Sequence, residues 1–168
     1  KMVASIGNQD LDHADKYFKK ALREDPAEVL VELAEYLESI GFLPQAQEIY
    51  EKVRFDFPEV NVNLAQIAAE DGDIEGAFLY LDAISEDSDD YLSALIVKAD
   101  LYQMEGLTDV ARDKLLEASQ LSDDPLIIFG LAEMEFELGN FEQAIHYYAK
   151  LDNRDLLATT GVSTYERI

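Results

Sequence analysis

Cysteine is absent from the 168 residues, and so is tryptophan. Without cysteine there is no disulfide framework, no thiol nucleophile and no cysteine metal site, and a reducing, cytoplasmic location is the expectation. Basic residues are scarce: 13 Lys and Arg stand against 36 Asp and Glu, a formal net charge of −23. A chain so poor in cations lacks the footprint that phosphate backbones require, which excludes ordinary nucleic-acid binding. It is also repelled by anionic membrane surfaces. No apolar run approaches the roughly 18 residues needed to span a bilayer, so no membrane insertion is expected. What is present in quantity is apolar: 48% of residues are hydrophobic, enough to build a core despite the charge. The sequence opens on Lys1-Met2-Val3 and closes on Tyr165 to Ile168 inside an apolar pattern. It reads as part of a longer protein, with any upstream targeting signal outside it.

Self-similarity organises the chain. The pattern Ala-x6-Gly-x4-Ala occurs four times, as Ala34/Gly41/Ala46, Ala65/Gly72/Ala77, Ala99/Gly106/Ala111 and Ala132/Gly139/Ala144. The second Ala recurs at intervals of 31, 34 and 33 residues. A fifth copy lies upstream at Ala14, with Gln9 in the glycine place. The pattern predicts a helix hairpin. Two helices cross closely only where side chains are small, and the glycine supplies the left-handed residue that ends the first helix. Asp73, Thr108 and Asn140 follow, where a polar residue starts or caps the second. Leu30, Leu33, Ala34 and Leu37 form one helical stripe, and Ala46, Tyr50 and Val53 the facing one. Pro26 and Pro58 stand after second helices, which proline does not continue.

These residues resemble the tetratricopeptide repeat family, whose 34-residue pattern places large, small, aromatic, Gly, Ala and Pro residues at set positions. The clearest copy runs Leu30, Leu33, Ala34, Leu37, Gly41, Ala46, Tyr50, Val53, Pro58. The last full copy runs Ile128, Leu131, Ala132, Gly139, Phe141, Ala144, Tyr148. Departures are the missing Trp and Lys98 at a usual Leu place. The resemblance implies an all-α fold: a right-handed superhelical solenoid of antiparallel helix hairpins, one solenoid over 1–168. About four full repeats (27–58, 59–88, 89–124, 125–152) would be flanked by partial ones at 1–26 and 153–168. More loosely, the chain is similar to long cytosolic repeat proteins of Gram-positive bacteria.

The resemblance further implies that first helices line a concave groove that binds extended or helical segments of other proteins. By repeat register the groove positions are Glu28, Val31, Glu35 and Glu38; Glu59, Val62, Gln66 and Ala69; Ser93, Ile96, Asp100 and Gln103; and Leu126, Phe129, Glu133 and Phe136. None is Lys, Arg or Asn, which disfavours the family's clamp on a terminal carboxylate. Acids mixed with apolar residues instead suit a basic or amphipathic segment. Phe129 and Phe136 either face that groove or pack on the neighbouring helices.

No catalytic, cofactor or metal constellation emerges. His13 and His146 lie about four repeats apart. Phosphate-loop, HExxH and GxSxG patterns do not occur. The run Glu86 to Asp90 lacks the Gly pivot of a calcium loop and reads as a solvated turn. A non-catalytic interaction scaffold is therefore the leading expectation. Self-assembly through terminal repeats is the alternative, since cut solenoid ends expose apolar faces and Lys16, Lys19, Lys20 and Arg23 give one end a basic cluster. A third reading, acids mimicking nucleic-acid phosphates, is weaker because the acids are spread over all helices.

Overall fold

The computed structural model of the chain describes residues 11–151, with side chains from residue 16 onward. The expected partial repeat at 153–168 lies outside the described residues. Among the described residues nine helices run α1 Leu11–Glu24, α2 Ala27–Ser39, α3 Leu43–Val53, α4 Asn61–Glu70, α5 Ile74–Asp82, α6 Tyr91–Met104, α7 Thr108–Leu121, α8 Pro125–Glu137 and α9 Phe141–Tyr148, with a 3-10 turn at Pro58–Val60. No strand occurs among the described residues. The helices pair as hairpins α2/α3, α4/α5, α6/α7 and α8/α9, and each hairpin packs on the next. This is the all-helical solenoid expected from the repeats.

The four register glycines end the four first helices in one way. Gly41, Gly72, Gly106 and Gly139 have φ of 81°, 82°, 75° and 78°. At each, the following residue donates its N–H five residues back, as in Phe42 to Leu37 at 2.8 Å and Leu107 to Tyr102 at 2.8 Å. The glycine N–H itself bonds the carbonyl three residues back. This paired closure satisfies carbonyls that a helix end leaves orphaned, and it needs a left-handed residue.

The register alanines sit at the helix crossings. Ala34, Ala46, Ala65, Ala77, Ala99, Ala111 and Ala132 are completely buried. Around them the core forms clusters, and three of these span neighbouring hairpins rather than following the repeat boundaries. Phe18 of α1, Leu30 and Leu37 of α2, Ile49, Tyr50 and Val53 of α3, and Leu64 and Ile67 of α4 form one cluster. Leu81 and Ile84 then pack with Ala94 and Leu101 of α6. Leu95, Leu115, Ile127, Leu131 and Met134 carry the core from α6 through α7 to α8. Each such side chain contributes about 1.5–3 kcal/mol by leaving water, so a hairpin depends on its neighbour for much of its stability.

The polar residues that follow the glycines start or cap the second helices, each in its own way. Asp73 caps α5 as anticipated, accepting from the Gly76 N–H at 2.9 Å. Thr108 starts α7 as its first residue, behind Leu107 at the cap position. Asn140 stands at the cap position of α9, but its amide turns back to donate to Glu135 Oε2 at 2.7 Å. A nearby buried carboxylate is the stronger acceptor and wins the side chain. The departure at Lys98 also has a physical answer. Its side chain is only 16% exposed, and its ammonium reaches Asp82 at the end of α5 at 2.7 Å. The stem fills the space of a leucine while the charge exits to a partner on the preceding hairpin.

Candidate functional site: a pocket between first helices

First helices of successive hairpins face one another along one side of the solenoid. α4 packs directly on α6. Between α6 and α8 lies a pocket of about 360 Å³. Its floor is apolar: Leu115, Ile127 and Met134 are buried, and Ile96 is half-buried beside them. Gly130, in mid-helix, shapes this floor. A Cβ there would stand 2.8 Å from the Leu115 methyl, so the glycine lets α7 and α8 approach. The upper wall is Leu126, Phe129, Asp100, Gln103, Glu133 and Glu137, with Asp124 at one end.

Several groups of the pocket are fixed by neighbouring helices. The Tyr148 hydroxyl of α9 donates to Glu133 Oε1, and the Tyr148 ring meets Phe129 edge-on, centroids 6.3 Å apart. Gln103 of α6 donates to Glu137 of α8 at 3.3 Å, a strut across the pocket mouth. Asp124 caps α8 by accepting from the Leu126 N–H at 2.8 Å. Asp100 differs from these. It has no cation and no hydrogen-bond donor within reach among the described residues. Desolvation by the surrounding walls raises its carboxyl above the usual aspartate range.

Six of the sixteen groove candidates therefore line one pocket: Ile96, Asp100, Gln103, Leu126, Phe129 and Glu133. Phe136 does not. It is 43% exposed and meets Phe141 of α9 edge-on, centroids 5.5 Å apart. Glu28 and Glu35 are exposed on α2, Gln66 is exposed on α4, and Val31 and Val62 are half-buried against the core. Glu38 has a structural occupation: one carboxylate oxygen accepts from the Tyr50 hydroxyl at 2.7 Å and from Asn63 Nδ2 at 3.0 Å, tying α2, α3 and α4 together. Register alone did not reveal Leu115, Gly130 and Met134. A glycine inside an otherwise apolar helix, away from any turn, was the signal for Gly130.

The ion pairs among the described residues avoid the pocket: Lys20–Glu24, Arg23–Glu24, Arg54–Glu51, Lys98–Asp82, Arg112–Asp113 and Lys114–Glu117. No group of three or more metal-ligating side chains is close enough to hold an ion among the described residues. No described helix is long and apolar enough to cross a membrane.

Helix hairpins in this register, closed by left-handed glycines and presenting a channel between first helices, define a repeat scaffold. The chain belongs to the tetratricopeptide repeat family: the tetratricopeptide repeat protein 21 ARM-repeat family matches residues 2–109, and the YpiA-like tetratricopeptide repeat family matches residues 103–156. Proteins of this family are generally non-catalytic protein-interaction scaffolds. Among particular relatives, the TPR repeat-containing protein YpiA of Bacillus subtilis (strain 168) is 26% identical over 163 residues. That alignment spans 96% of this chain and 37% of the relative's length. A crystal structure of MamA superposes with a TM-score of 0.70 at 20% identity, covering 88% of this chain and 90% of that one. Pseudomonas aeruginosa pilF gives 0.69 at 19% identity, over 93% and 77%. Thermus thermophilus TTC0263, a thermophilic TPR protein, gives 0.62 at 23% identity, over 99% and 91%. At these identities the likeness establishes the fold alone.

Proposed function

We propose that this chain is an adaptor that receives a basic or amphipathic segment of another protein on the first-helix side, centred on the α6–α8 pocket. The observation that carries the reading is the combination in one cavity of an apolar floor (Leu115, Ile127, Met134) with a carboxylate-bearing wall (Asp100, Glu133, Glu137). Apolar anchors buried in a pocket supply most of a segment's affinity. Carboxylates around them raise the association rate for cationic partners and reject acidic ones. The charge distribution supports this polarity, since no Lys or Arg occurs between Arg54 and Lys98 or between Lys114 and Lys150.

The test is a fluorescence-anisotropy titration with a labelled helical peptide of Leu, Ala and Lys, at low and at high salt. The variant is Leu126→Ala with Asp100→Asn, two exposed positions whose change leaves the core intact. Binding that weakens with salt and falls about tenfold or more in the variant supports the reading. Equal affinity in variant and wild type, or preference for a Glu-substituted peptide, contradicts it.

A further inference from the structure

The pocket contains one group whose chemistry is incomplete. Asp100 is an exposed carboxylate at the mouth, beside the apolar floor, with neither cation nor donor among the described residues. Glu133, in the same pocket, is held in place by the Tyr148 hydroxyl, and Glu137 by Gln103. The carboxylates come from two helices, Asp100 from α6 and the other two from α8, so a ligand group between them is addressed from two sides. Phe129 presents a ring in the same lining. About 360 Å³ is at the small end of organic-ligand pockets. It suits one or two side chains of a partner rather than a long stretch of backbone.

Resting on the adaptor reading above, we infer that the α6–α8 pocket is selective for arginine: it seats one arginine of the bound segment, with an apolar side chain beside it on the floor. Arginine fits where lysine does not for three reasons. Its planar fork carries five donors and can serve Asp100 and an α8 carboxylate together, whereas an ammonium is a point charge. The guanidinium is more weakly hydrated, so giving up water against the apolar floor costs it less. Its flat face also stacks on an aromatic ring such as Phe129. The methylene stem meanwhile covers Ile96 and Leu126, apolar surface that the pocket leaves open.

The experiment compares two probe peptides on the intact chain: helical Leu/Ala peptides identical except that every cation is Arg in one and Lys in the other. Affinities are read by titration and binding sites by amide chemical shifts. The inference predicts that the Arg peptide binds about five- to tenfold more tightly and moves amides of α6 and α8. In Asp100→Asn the Arg preference drops below about twofold, while the Lys peptide loses little. Equal affinities of the two peptides in the wild type, with the shifts still on α6 and α8, would overturn arginine selectivity and leave the adaptor reading standing. Absence of α6 and α8 shifts with either peptide would overturn both. The wild-type comparison needs no substitution, so it decides the matter even if Asp100→Asn proves unstable.

Discussion

The Glu38 carboxylate offers a quantitative test of how neighbouring repeats are joined. Tyr50 is completely buried, and its hydroxyl has Glu38 as its acceptor at 2.7 Å. Asn63, from the next hairpin, donates to the same oxygen at 3.0 Å and is half-buried. In Glu38→Ala the tyrosine hydroxyl is stranded, and a buried hydrogen bond to a charged acceptor is worth about 1.5–3 kcal/mol. The Asn63 amide reaches water more easily and adds a few tenths more. The expected loss is about 2–3 kcal/mol. Glu38→Gln is the control, because it removes the same charge from a strongly anionic protein yet keeps a carbonyl oxygen at the same place. It should cost under about 1 kcal/mol. Tyr50→Phe removes the donor together with its need for a partner and should cost about 1 kcal/mol. The double variant Glu38→Ala/Tyr50→Phe should then lose less than the sum of its singles, by about 1 kcal/mol. Urea unfolding followed by far-ultraviolet circular dichroism reads all four. A Glu38→Ala cost below about 0.5 kcal/mol, or equal costs for the alanine and glutamine variants, would refute the joint.

Other consequences follow from single features. Gly106 has φ of +75° and open space where a Cβ would go, so Gly106→Ala should cost only the left-handed backbone penalty, about 1–2 kcal/mol, and Gly106→Asn less, measured by the same unfolding curves. The Tyr80 hydroxyl is pushed up to about 12, first by its hydrogen bond to Glu51 and then by burial, and burial also drives Tyr50 upward. The unfolded chain releases these protons near pH 10 while the folded chain keeps them. The Tyr80 contribution is therefore whole below pH 10 and lost as pH rises through 12, that of Tyr50 is lost only at higher pH, and Tyr80→Phe should flatten the decline between 10 and 12 in a pH series of thermal melts. Lys98→Met restores an apolar residue at its register position and should be neutral or stabilising, whereas Asp82→Ala removes the ammonium's partner and should cost up to about 1 kcal/mol, a contrast that differential scanning calorimetry reads directly.

The hairpins were legible in the sequence because their determinants are local. Gly41, Gly72, Gly106 and Gly139 encode a backbone conformation, and Ala34, Ala65, Ala99 and Ala132 encode a close approach one turn-set earlier. Both repeat at intervals that only a stacked fold explains. The pocket was half legible. Register placed Ile96, Asp100 and Gln103 opposite Leu126, Phe129 and Glu133, since equivalent positions on equivalent helices share a face. Register could not show that Glu38 bonds Tyr50 and Asn63, because that depends on which side chains of three helices meet. Nor could it separate Phe129, which lines the pocket, from Phe136, two turns along, which meets Phe141 edge-on. The floor was hidden for another reason: Leu115 belongs to a second helix and reaches the groove side beside Gly130, where the missing Cβ leaves room for it.

The claim that the first-helix side is the receptor surface is tested most directly by mapping amide shifts of the isotopically labelled chain against a basic amphipathic helical peptide. The account predicts saturable shifts concentrated at Ile96, Asp100, Gln103, Leu126, Phe129 and Glu133, weakened by salt, with α5 and α7 surface positions such as Leu79 and Asp113 unmoved. Shifts gathered on α5 and α7 instead, with α6 and α8 silent, would contradict it and move the interface to the second helices.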